Sequence, residues 1–314
     1  MQIQGIGIDI NDERVHGDLH VLRDELDYFR RCGFDTVELT TSGLYFIFNG
    51  DLDRERTRKI REVLTQYPFH YTLHLPDVLN LCNGPDPVLD LAIFSSCIDF
   101  AAAIGARVLV YHSGQNFYNL DSPERRAEAV EREGFALADL AAKARKSGIL
   151  ITIENTNPGA EELDLIEERG LSKEQIRFLH PALCLDAIGK QVERIAAPNI
   201  GLALDPGHLN LSVEITGDPF LSSIEDQAHL VRHLHLNDNF GRNSHPRYSR
   251  MEQVLYGRAD CHLPLGMGSM PIKEILNRLG DFKGFIIFEI RPEYREYLAD
   301  SIAKLHDYLA AISG

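Results

Sequence analysis

The sequence predicts an α/β protein that folds into one (β/α)8 barrel, the TIM-barrel architecture, as a single domain over residues 1–314. Short apolar runs alternate with longer amphipathic segments, a pattern that predicts parallel strands joined by crossover helices. Eight such units fit this length, and no change of composition or Gly/Ser-rich linker divides them. An open, doubly wound sheet is the alternative, but no glycine-rich phosphate-binding motif follows the first predicted strand.

The predicted strands are short apolar runs bounded by polar or turn residues. In chain order they cover residues 3–8, 36–39, 69–75, 108–112, 149–154, 201–205, 231–236 and 285–290. The second to the eighth are continuously apolar rather than alternating, as is typical of strands that are covered on both faces. This continuity favours a parallel sheet surrounded by helices.

The predicted helices have apolar residues three and four positions apart, and several carry clear end signals. Leu22, Leu26 and Phe29 mark the first helix, Gly33 ends it, and Pro87 lies in the first turn of a long later helix. In chain order the helices cover residues 17–31, 52–66, 87–104, 123–146, 160–169, 186–195, 222–228, 272–279 and 294–312. The seventh strand precedes an irregular insertion over residues 239–261.

The composition excludes several classes of protein. With 44% hydrophobic and 25% charged residues, the chain is neither disordered nor collagen-like, and it is too long for a small disulfide-stapled scaffold. Lys plus Arg total 32 against 47 Asp plus Glu, so the formal net charge is −15. That charge disfavours nucleic acid and anionic membranes as partners, although a local basic groove stays compatible with it.

The cysteines and the first residues indicate a cytoplasmic protein. Five scattered cysteines form no CxxC pair, which favours a reducing compartment over a disulfide framework. The first residues lack the basic and apolar regions of a signal peptide. No apolar run is expected to reach the length of a membrane span, so we expect no membrane partner.

Metal-binding residue types cluster where the strands end. Because the carboxyl ends of the strands build the active site in such a barrel, side chains there are the first candidates. The third to eighth strands, with the loops after them, carry His74, His112, Glu154, Asp205, His208, His235, Asp260, His262 and Glu289. Imidazole and carboxylate together suit zinc, manganese, cobalt or ferrous iron. Several carboxylates in an apolar barrel mouth are costly without a cation, so the pattern predicts a divalent-metal site.

Other polar residues are expected to be ordinary. The remaining histidines are His16, His20, His70, His180, His229, His233, His245 and His306. His233 shares a strand face with His235 but lies one layer deeper, so we expect it to fill the barrel interior. Cys261 lies between two candidate ligands and should point away from them in an extended segment.

Two surface features allow two interpretations each. The insertion over residues 239–261 is either a lid that brings cations to a phosphorylated substrate or to DNA, or a solvated loop, which we favour. Its charged and polar residues include Arg242, Asn243, His245, Arg247 and Arg250. Tyr45, Phe46 and Phe48, after the second strand, form either a hydrophobic wall over the site or a contact between subunits.

These motifs resemble the xylose isomerase-like TIM-barrel superfamily, which contains sugar isomerases and epimerases and the endonuclease IV type of abasic-site nuclease. The matching pieces run in order along nearly the whole chain. They are His74 with Asn80 and Leu81, VYHSG at 110–114, IEN at 153–155, LDPGH at 204–208, HLHLND at 233–238, HLPLGMG at 262–268 and FE at 288–289.

In the isomerase and epimerase branch, the resemblance implies a single divalent ion. Its ligands would be Glu154, Asp205, His235 and Glu289. As a Lewis acid it would chelate two adjacent oxygens of an open-chain ketose and stabilise an enediolate. Glu154 and Glu289, on opposite sides of the sugar, would remove and return the carbon-bound proton. The substrate-binding residues would be His74, His112, His208 and Arg291.

In the endonuclease IV branch, the resemblance implies three zinc ions held by all nine candidate residues, which would activate a hydroxide against a phosphodiester. The Asp260 and His262 pair favours this branch. Against it, Asp77 and Val78 occupy the positions of an aromatic and an apolar wedge residue, and residues 9–16 lack the usual opening motif. Against the isomerase branch, Met267 replaces a common Glu, which affects a contact around the metal site rather than a ligand.

The sequence therefore favours a divalent-metal-dependent sugar or sugar-phosphate isomerase or epimerase, with a small carbohydrate as its partner. The cofactor would be manganese, cobalt, zinc, magnesium or iron. The alternative is a multi-zinc phosphodiesterase of the endonuclease IV type. A barrel that binds without catalysis is disfavoured because Glu154 and Glu289 are both present. Association with further copies of the chain is left open.

Overall fold

The computed structural model describes residues 1–120, 122–244 and 248–313. Its strands are β1 (Gln2–Ile10), β2 (Thr36–Thr40), β3 (Ile47–Phe48), β4 (Asp51–Leu52), β5 (His70–His74), β6 (Val108–His112), β7 (Leu150–Glu154), β8 (Ile200–Leu204), β9 (Val231–Leu236) and β10 (Lys283–Phe288). Eight parallel strands close into a barrel in the order β1-β10-β9-β8-β7-β6-β5-β2. The predicted single-domain (β/α)8 barrel is thus confirmed. Strands β3 and β4 form a separate antiparallel ribbon.

Helices surround the barrel. They are α1 (Asp12–Val15), α2 (Leu19–Cys32), α3 (Thr41–Leu44), α4 (Arg54–Leu64), α5 (Pro87–Ile104), α6 (Pro123–Arg145), α7 (Ala160–Arg169), α8 (Lys173–Leu179), α9 (Leu185–Ile195), α10 (Pro206–Thr216), α11 (Phe220–Gln227), α12 (Arg250–Tyr256), α13 (Ile272–Arg278) and α14 (Leu298–Ser313). Short 3-10 turns cover Pro181–Leu183, Ala228–Leu230 and Pro292–Tyr297. The core lies between the strands and this ring, where the strand side chains of the outer face are almost completely buried.

Five helices were missing from the sequence prediction, namely the one-turn helices α1 and α3 together with α8, α10 and α12. Helix α10 begins directly after β8, because the Asp205 side chain accepts a hydrogen bond from the His208 amide and Pro206 fits the first turn. Helix α8 and helix α12 are short, and the capping box that starts α12 pairs Ser249 with Glu252. In the same insertion, His245 and Arg247 lie outside the described residues.

Helix α5 departs from the expectation about membrane spans. By length and composition alone, its 18 residues would be enough to cross a membrane. In the barrel its inner face, including Phe94, Cys97 and Phe100, is buried.

Phe100 stacks on Phe46 with ring centroids 3.6 Å apart. Of the three aromatic positions that follow β2, only Phe46 is therefore a core residue, while Tyr45 and Phe48 are more than half exposed.

Candidate metal centre

The nine predicted donor residues meet at the carboxyl end of the barrel. His74, His112 and Glu154 are the last residues of β5, β6 and β7. Asp205 and Glu289 directly follow β8 and β10, and His235 lies in β9. His208 lies in the first turn of α10, and Asp260 with His262 follow α12. Parallel strands end at one rim of the barrel, so these distant residues become neighbours.

Glu154 is the centre of this cluster. It is fully buried, and its Oε2 lies 3.2 Å from His74 Nε2 and 2.9 Å from His112 Nε2. Its Oε1 lies 2.9 Å from His235 Nδ1 and 3.4 Å from His208 Nδ1. One carboxylate thus joins four imidazoles that come from four different strands or their loops.

Glu289 approaches the same imidazole from another direction. Its Oε1 lies 3.3 Å from His235 Nδ1, and its side chain is 12% exposed to the cavity above. Strands β7 and β10 are separated in the barrel by β8 and β9, so Glu154 and Glu289 reach His235 from different sides. The pair therefore flanks one point at the floor of the cavity.

Asp205 is held in place by two asparagines. Asn155 accepts from the Asp205 amide at 3.0 Å and donates to its carbonyl at 2.8 Å. Asn237 donates to Asp205 Oδ2 at 3.2 Å. This close approach needs glycine at Gly207, where a Cβ atom would lie 2.4 Å from Asn237 Oδ1. The Asp-Pro-Gly-His and His-Leu-Asn-Asp motifs thus act together to fix one carboxylate.

A second group of donors lies beside the first. Asp260 Oδ2 is 2.6 Å from His262 Nε2 and 3.3 Å from His208 Nε2. His262 has a φ of 45°, a left-handed conformation that is costly for a residue with a side chain. A strained backbone at a polar cluster is typical of a functional site, where the surrounding structure imposes the conformation.

Backbone carbonyls fix the protonated nitrogen of three histidines. Nδ1 of His74 lies 2.7 Å from the Leu75 carbonyl, and Nδ1 of His262 lies 2.9 Å from the Glu289 carbonyl. Nδ1 of His208 lies 3.0 Å from the carbonyl of Asn155. Because a carbonyl only accepts, each Nδ1 carries a proton and each Nε2 can serve as a metal ligand. This arrangement around ligating histidines is common in metal proteins.

The sequence analysis gave no role to Glu38. This fully buried carboxylate lies below the donors, where Oε1 is 2.8 Å from His235 Nε2 and Oε2 is 2.9 Å from His233 Nε2. The Thr72 hydroxyl donates to the same Oε2 at 2.7 Å. His233 fills the barrel interior, as predicted. Glu38 therefore orients His235 so that its Nδ1 faces Glu154 and Glu289.

Burial and charge act against each other on these groups. Burial alone would raise the pKa of Glu154, but His235 and His112 hold the pKa well below its usual range. Burial raises the pKa of Glu289 to about 8, against the opposing effect of His235. Burial would lower the pKa of His74, yet the hydrogen bond with Glu154 raises it to about 10. In the metal-free chain, protonated imidazoles therefore compensate the buried carboxylates.

A cavity of about 640 Å³ opens above the donors. Its described lining contains no lysine or arginine, although it contains six carboxylates. These are Asp9, Asp77, Glu161, Glu162, Asp260 and Glu289. Arg291, which the resemblance placed at the substrate, does not line the cavity, because its guanidinium donates to the Asp260 carbonyl. It thus steadies the loop that carries Asp260.

Asp9 and His180 are among the lining residues that the sequence analysis did not anticipate. Asp9 belongs to β1, which continues to Ile10 rather than ending at residue 8 as predicted. Burial raises the pKa of Asp9. His180, expected to be an ordinary histidine, also lines the cavity. The alternation of polar and apolar residues in Gly7-Ile8-Asp9-Ile10 is the sequence signal that could have indicated Asp9.

The residues present fit a divalent metal. Several groups of three donors, among them His112, Glu154 and His208, have ligand atoms within 4.8 Å of one another. Asp260 Oδ1 is buried and makes no hydrogen bond to any described residue. Buried polar atoms are normally paired, so this oxygen has the environment of a metal ligand. The donor set of imidazole and carboxylate suits zinc, manganese, cobalt or iron.

The sequence profile described as xylose isomerase-like TIM barrel matches residues 26–310, about nine-tenths of the chain. The chain belongs to the xylose isomerase-like TIM barrel family. No functionally curated protein matches its sequence significantly.

Solved structures of this fold cover almost the whole chain at low identity. A D-tagatose 3-epimerase-like protein is 19% identical with a TM-score of 0.69, over 99% of this chain and 98% of that one. The apo form of a 3-keto-D-glucoside 4-epimerase from E. coli is 14% identical with a TM-score of 0.65, over 96% and 98%. The D-psicose 3-epimerase of Clostridium cellulolyticum, solved with D-tagatose, is 14% identical with a TM-score of 0.64, over 97% and 99%.

We expect this xylose isomerase-like barrel to be stabilised by divalent metal. Only the folded chain brings the donors together, so a metal at 100 times its Kd should add about 2.7 kcal/mol of stability. That corresponds to a rise of about 5 °C in the melting temperature. The measurement is thermal unfolding of EDTA-treated protein with added MnCl2 or ZnCl2, against NaCl of equal ionic strength. An unchanged melting temperature with both metals would contradict a metal site.

Proposed function

We propose that this protein is a divalent-metal-dependent isomerase or epimerase that acts on an unphosphorylated ketose. The observation that carries the proposal is the placement of two carboxylates around one imidazole nitrogen. Glu154 and Glu289 lie 2.9 and 3.3 Å from His235 Nδ1 and come from strand ends on either side of β9, which carries His235. Epimerisation inverts a carbon, so it requires a base on one face of that carbon and a proton donor on the other.

Each of these residues then has a role. Glu154, Asp205, His235 and Glu289 would hold the metal, which when bound supplies Lewis-acid polarisation of the substrate carbonyl. One carboxylate takes the proton from the carbon next to the carbonyl, and the other returns a proton from the opposite side. His208 would hold a substrate oxygen through Nε2, because its Nδ1 is engaged by the Asn155 carbonyl. His74 and His112 border the same space.

The charge of the cavity supports a neutral substrate. Its described lining offers six carboxylates and no lysine or arginine. A phosphorylated sugar needs arginine, lysine or a cluster of backbone amides to compensate its charge. The amide and hydroxyl groups of Asn116, Asn157 and Thr156, in the same lining, suit sugar hydroxyls instead.

The first test combines metal content with a substrate panel. Elemental analysis of protein purified without added metal gives the ions per chain. The same preparation, reconstituted with manganese, cobalt or zinc, is then assayed on D-psicose, D-fructose, D-sorbose and D-tagatose. One exchangeable ion and conversion of one of these ketoses would support the proposal. Metal-loaded protein that converts none of them, nor a shorter ketose, would contradict it.

A preference for neutral substrates should appear in the same assay. We expect kcat/KM for a ketose to exceed that for its terminal phosphate ester by about tenfold or more, because the lining carboxylates repel the dianion. D-fructose and D-fructose 6-phosphate form a matched pair, and raised ionic strength serves as the control, since screening should narrow the difference. A preference for the phosphate ester would contradict the neutral-substrate proposal.

A zinc-dependent phosphodiesterase is the second candidate function. It is favoured by donors that the single-metal proposal leaves without a metal. His74 and His112 lie beside Glu154, and His208 and His262 lie beside Asp260. Two or three tightly held zinc ions per chain would favour this candidate. The test is cleavage of a duplex with an abasic site and of bis(4-nitrophenyl) phosphate by the same zinc-loaded protein. The acidic lining, with Asp77 exposed at the rim, opposes it.

A further inference from the structure

The cavity has a second polar wall that the proposed chemistry does not use. It is formed by the loop after β7, the first turn of α7 and the segment that joins α8 to α9. Thr156, Glu162 and His180 belong to it, and they line the same cavity as His208 and Glu289. A ligand whose reacting carbons lie at the donors would therefore extend toward this wall.

A short contact with Glu162 holds His180 in this wall. The residue is 5% exposed, and its Nδ1 lies 2.7 Å from Glu162 Oε1. The Glu162 side chain is 9% exposed, so both partners are largely shielded from solvent. A carboxylate at Nδ1 fixes the orientation of the ring and leaves Nε2 to face a hydroxyl.

Nε2 of His180 is only weakly engaged within the protein. The Thr156 hydroxyl lies 3.3 Å from it, which is long for a hydrogen bond that involves a hydroxyl. Folding stability alone does not explain why His180 and Glu162 are paired here, because apolar residues of similar volume often stabilise a buried position as well as a polar pair does. The position of His180 on the cavity wall gives a functional reason for the pair. A substrate hydroxyl can replace the Thr156 hydroxyl at His180 Nε2 or bind beside it.

We propose that His180, oriented by Glu162, binds a hydroxyl at the end of the ketose remote from the reacting carbons, and so sets the preferred chain length. This inference rests on the proposed function. His180 would be a specificity-determining residue rather than one that transfers a proton. The neighbouring Asn116 and Asn157 offer further hydrogen-bonding groups for the same end of the sugar.

The test compares two variants of His180, each of which keeps a polar group near one of the two imidazole nitrogens. His180→Asn places an amide near the position of Nδ1 and can keep the Glu162 contact, but it has no group at the position of Nε2. His180→Gln places an amide near Nε2. For each protein, kcat/KM is measured for the best hexulose of the panel and for D-erythrulose, which lacks the two terminal carbons. Melting temperatures show that both variants are folded.

We expect the hexulose-to-erythrulose ratio of kcat/KM to fall about tenfold in His180→Asn, mainly through KM, and to recover at least in part in His180→Gln. Equal losses on both substrates, or an unchanged ratio in His180→Asn, would overturn the inference while leaving the proposed function intact. Wild-type protein that turns over no ketose would overturn the proposed function and this inference with it.

Discussion

Replacement of Glu154 by glutamine is expected to lower kcat/KM for the accepted ketose by about a thousandfold or more. The amide cannot take up a proton from carbon. It also replaces oxygens that lie 2.9 Å from His235 Nδ1 and 3.2 Å from His74 Nε2, so that metal affinity should fall as well. Steady-state kinetics at saturating metal, with metal content measured on the same samples, separates the two effects.

Glu25 provides the matched control for removing a buried carboxylate. It pairs with Arg14 and Arg295 rather than with the histidines of the site. Glu25→Gln should therefore lower the melting temperature and leave turnover within about twofold of wild type, as expected for a change away from the reacting groups. Glu154→Gln protein that is loaded with metal and retains a tenth of wild-type turnover would exclude Glu154 as the base.

The sequence was sufficient to place the nine candidate donors together because barrel geometry brings strand ends to one rim. Continuous apolar runs located the strands, and every candidate donor except Asp260 and His262 lies at a strand end or within four residues of it. The motif around Asp205 shows this well, since Asp-Pro-Gly-His both starts a helix and supplies two site residues. The residue types at the strand ends were enough to identify the candidate donors. The distances between the donors and their hydrogen-bond partners were not predictable from the sequence.

Residues whose role depends on the third dimension were harder to find. Glu38 lies in a short apolar strand, and only the closed barrel brings it next to His233 and His235, which are about 200 residues away in the chain. His180 had no strand to mark it, because it ends a short helix in a long connection. The contact of Arg291 with the Asp260 carbonyl was equally unpredictable, because the two residues lie in different loops and meet only in the folded barrel.

Glu38 is expected to be required for tight metal binding although it does not face the cavity. Its two oxygens accept from the Nε2 protons of His235 and His233 at 2.8 and 2.9 Å. Burial would raise the pKa of Glu38, but these two histidines hold it well below the usual range, so the group stays an anion. In metal proteins, a carboxylate behind a ligating histidine fixes the ring and makes it a better ligand, and losing it costs about 10- to 100-fold in affinity.

Glu38→Gln tests this role, because glutamine keeps the volume but can accept from only one of the two imidazoles. We expect the Kd for the bound metal to rise about 10- to 100-fold and the free energy of unfolding of the metal-free chain to fall by about 3 kcal/mol. Thr72→Val is the control, since it removes the hydroxyl at Glu38 Oε2 without touching His235. It should lower stability and leave the metal Kd within about threefold. Calorimetric titration measures the metal Kd, and denaturant unfolding measures the free energy of unfolding. A Glu38→Gln variant with lower stability but a wild-type metal Kd would show that Glu38 stabilises the core and does not support metal binding.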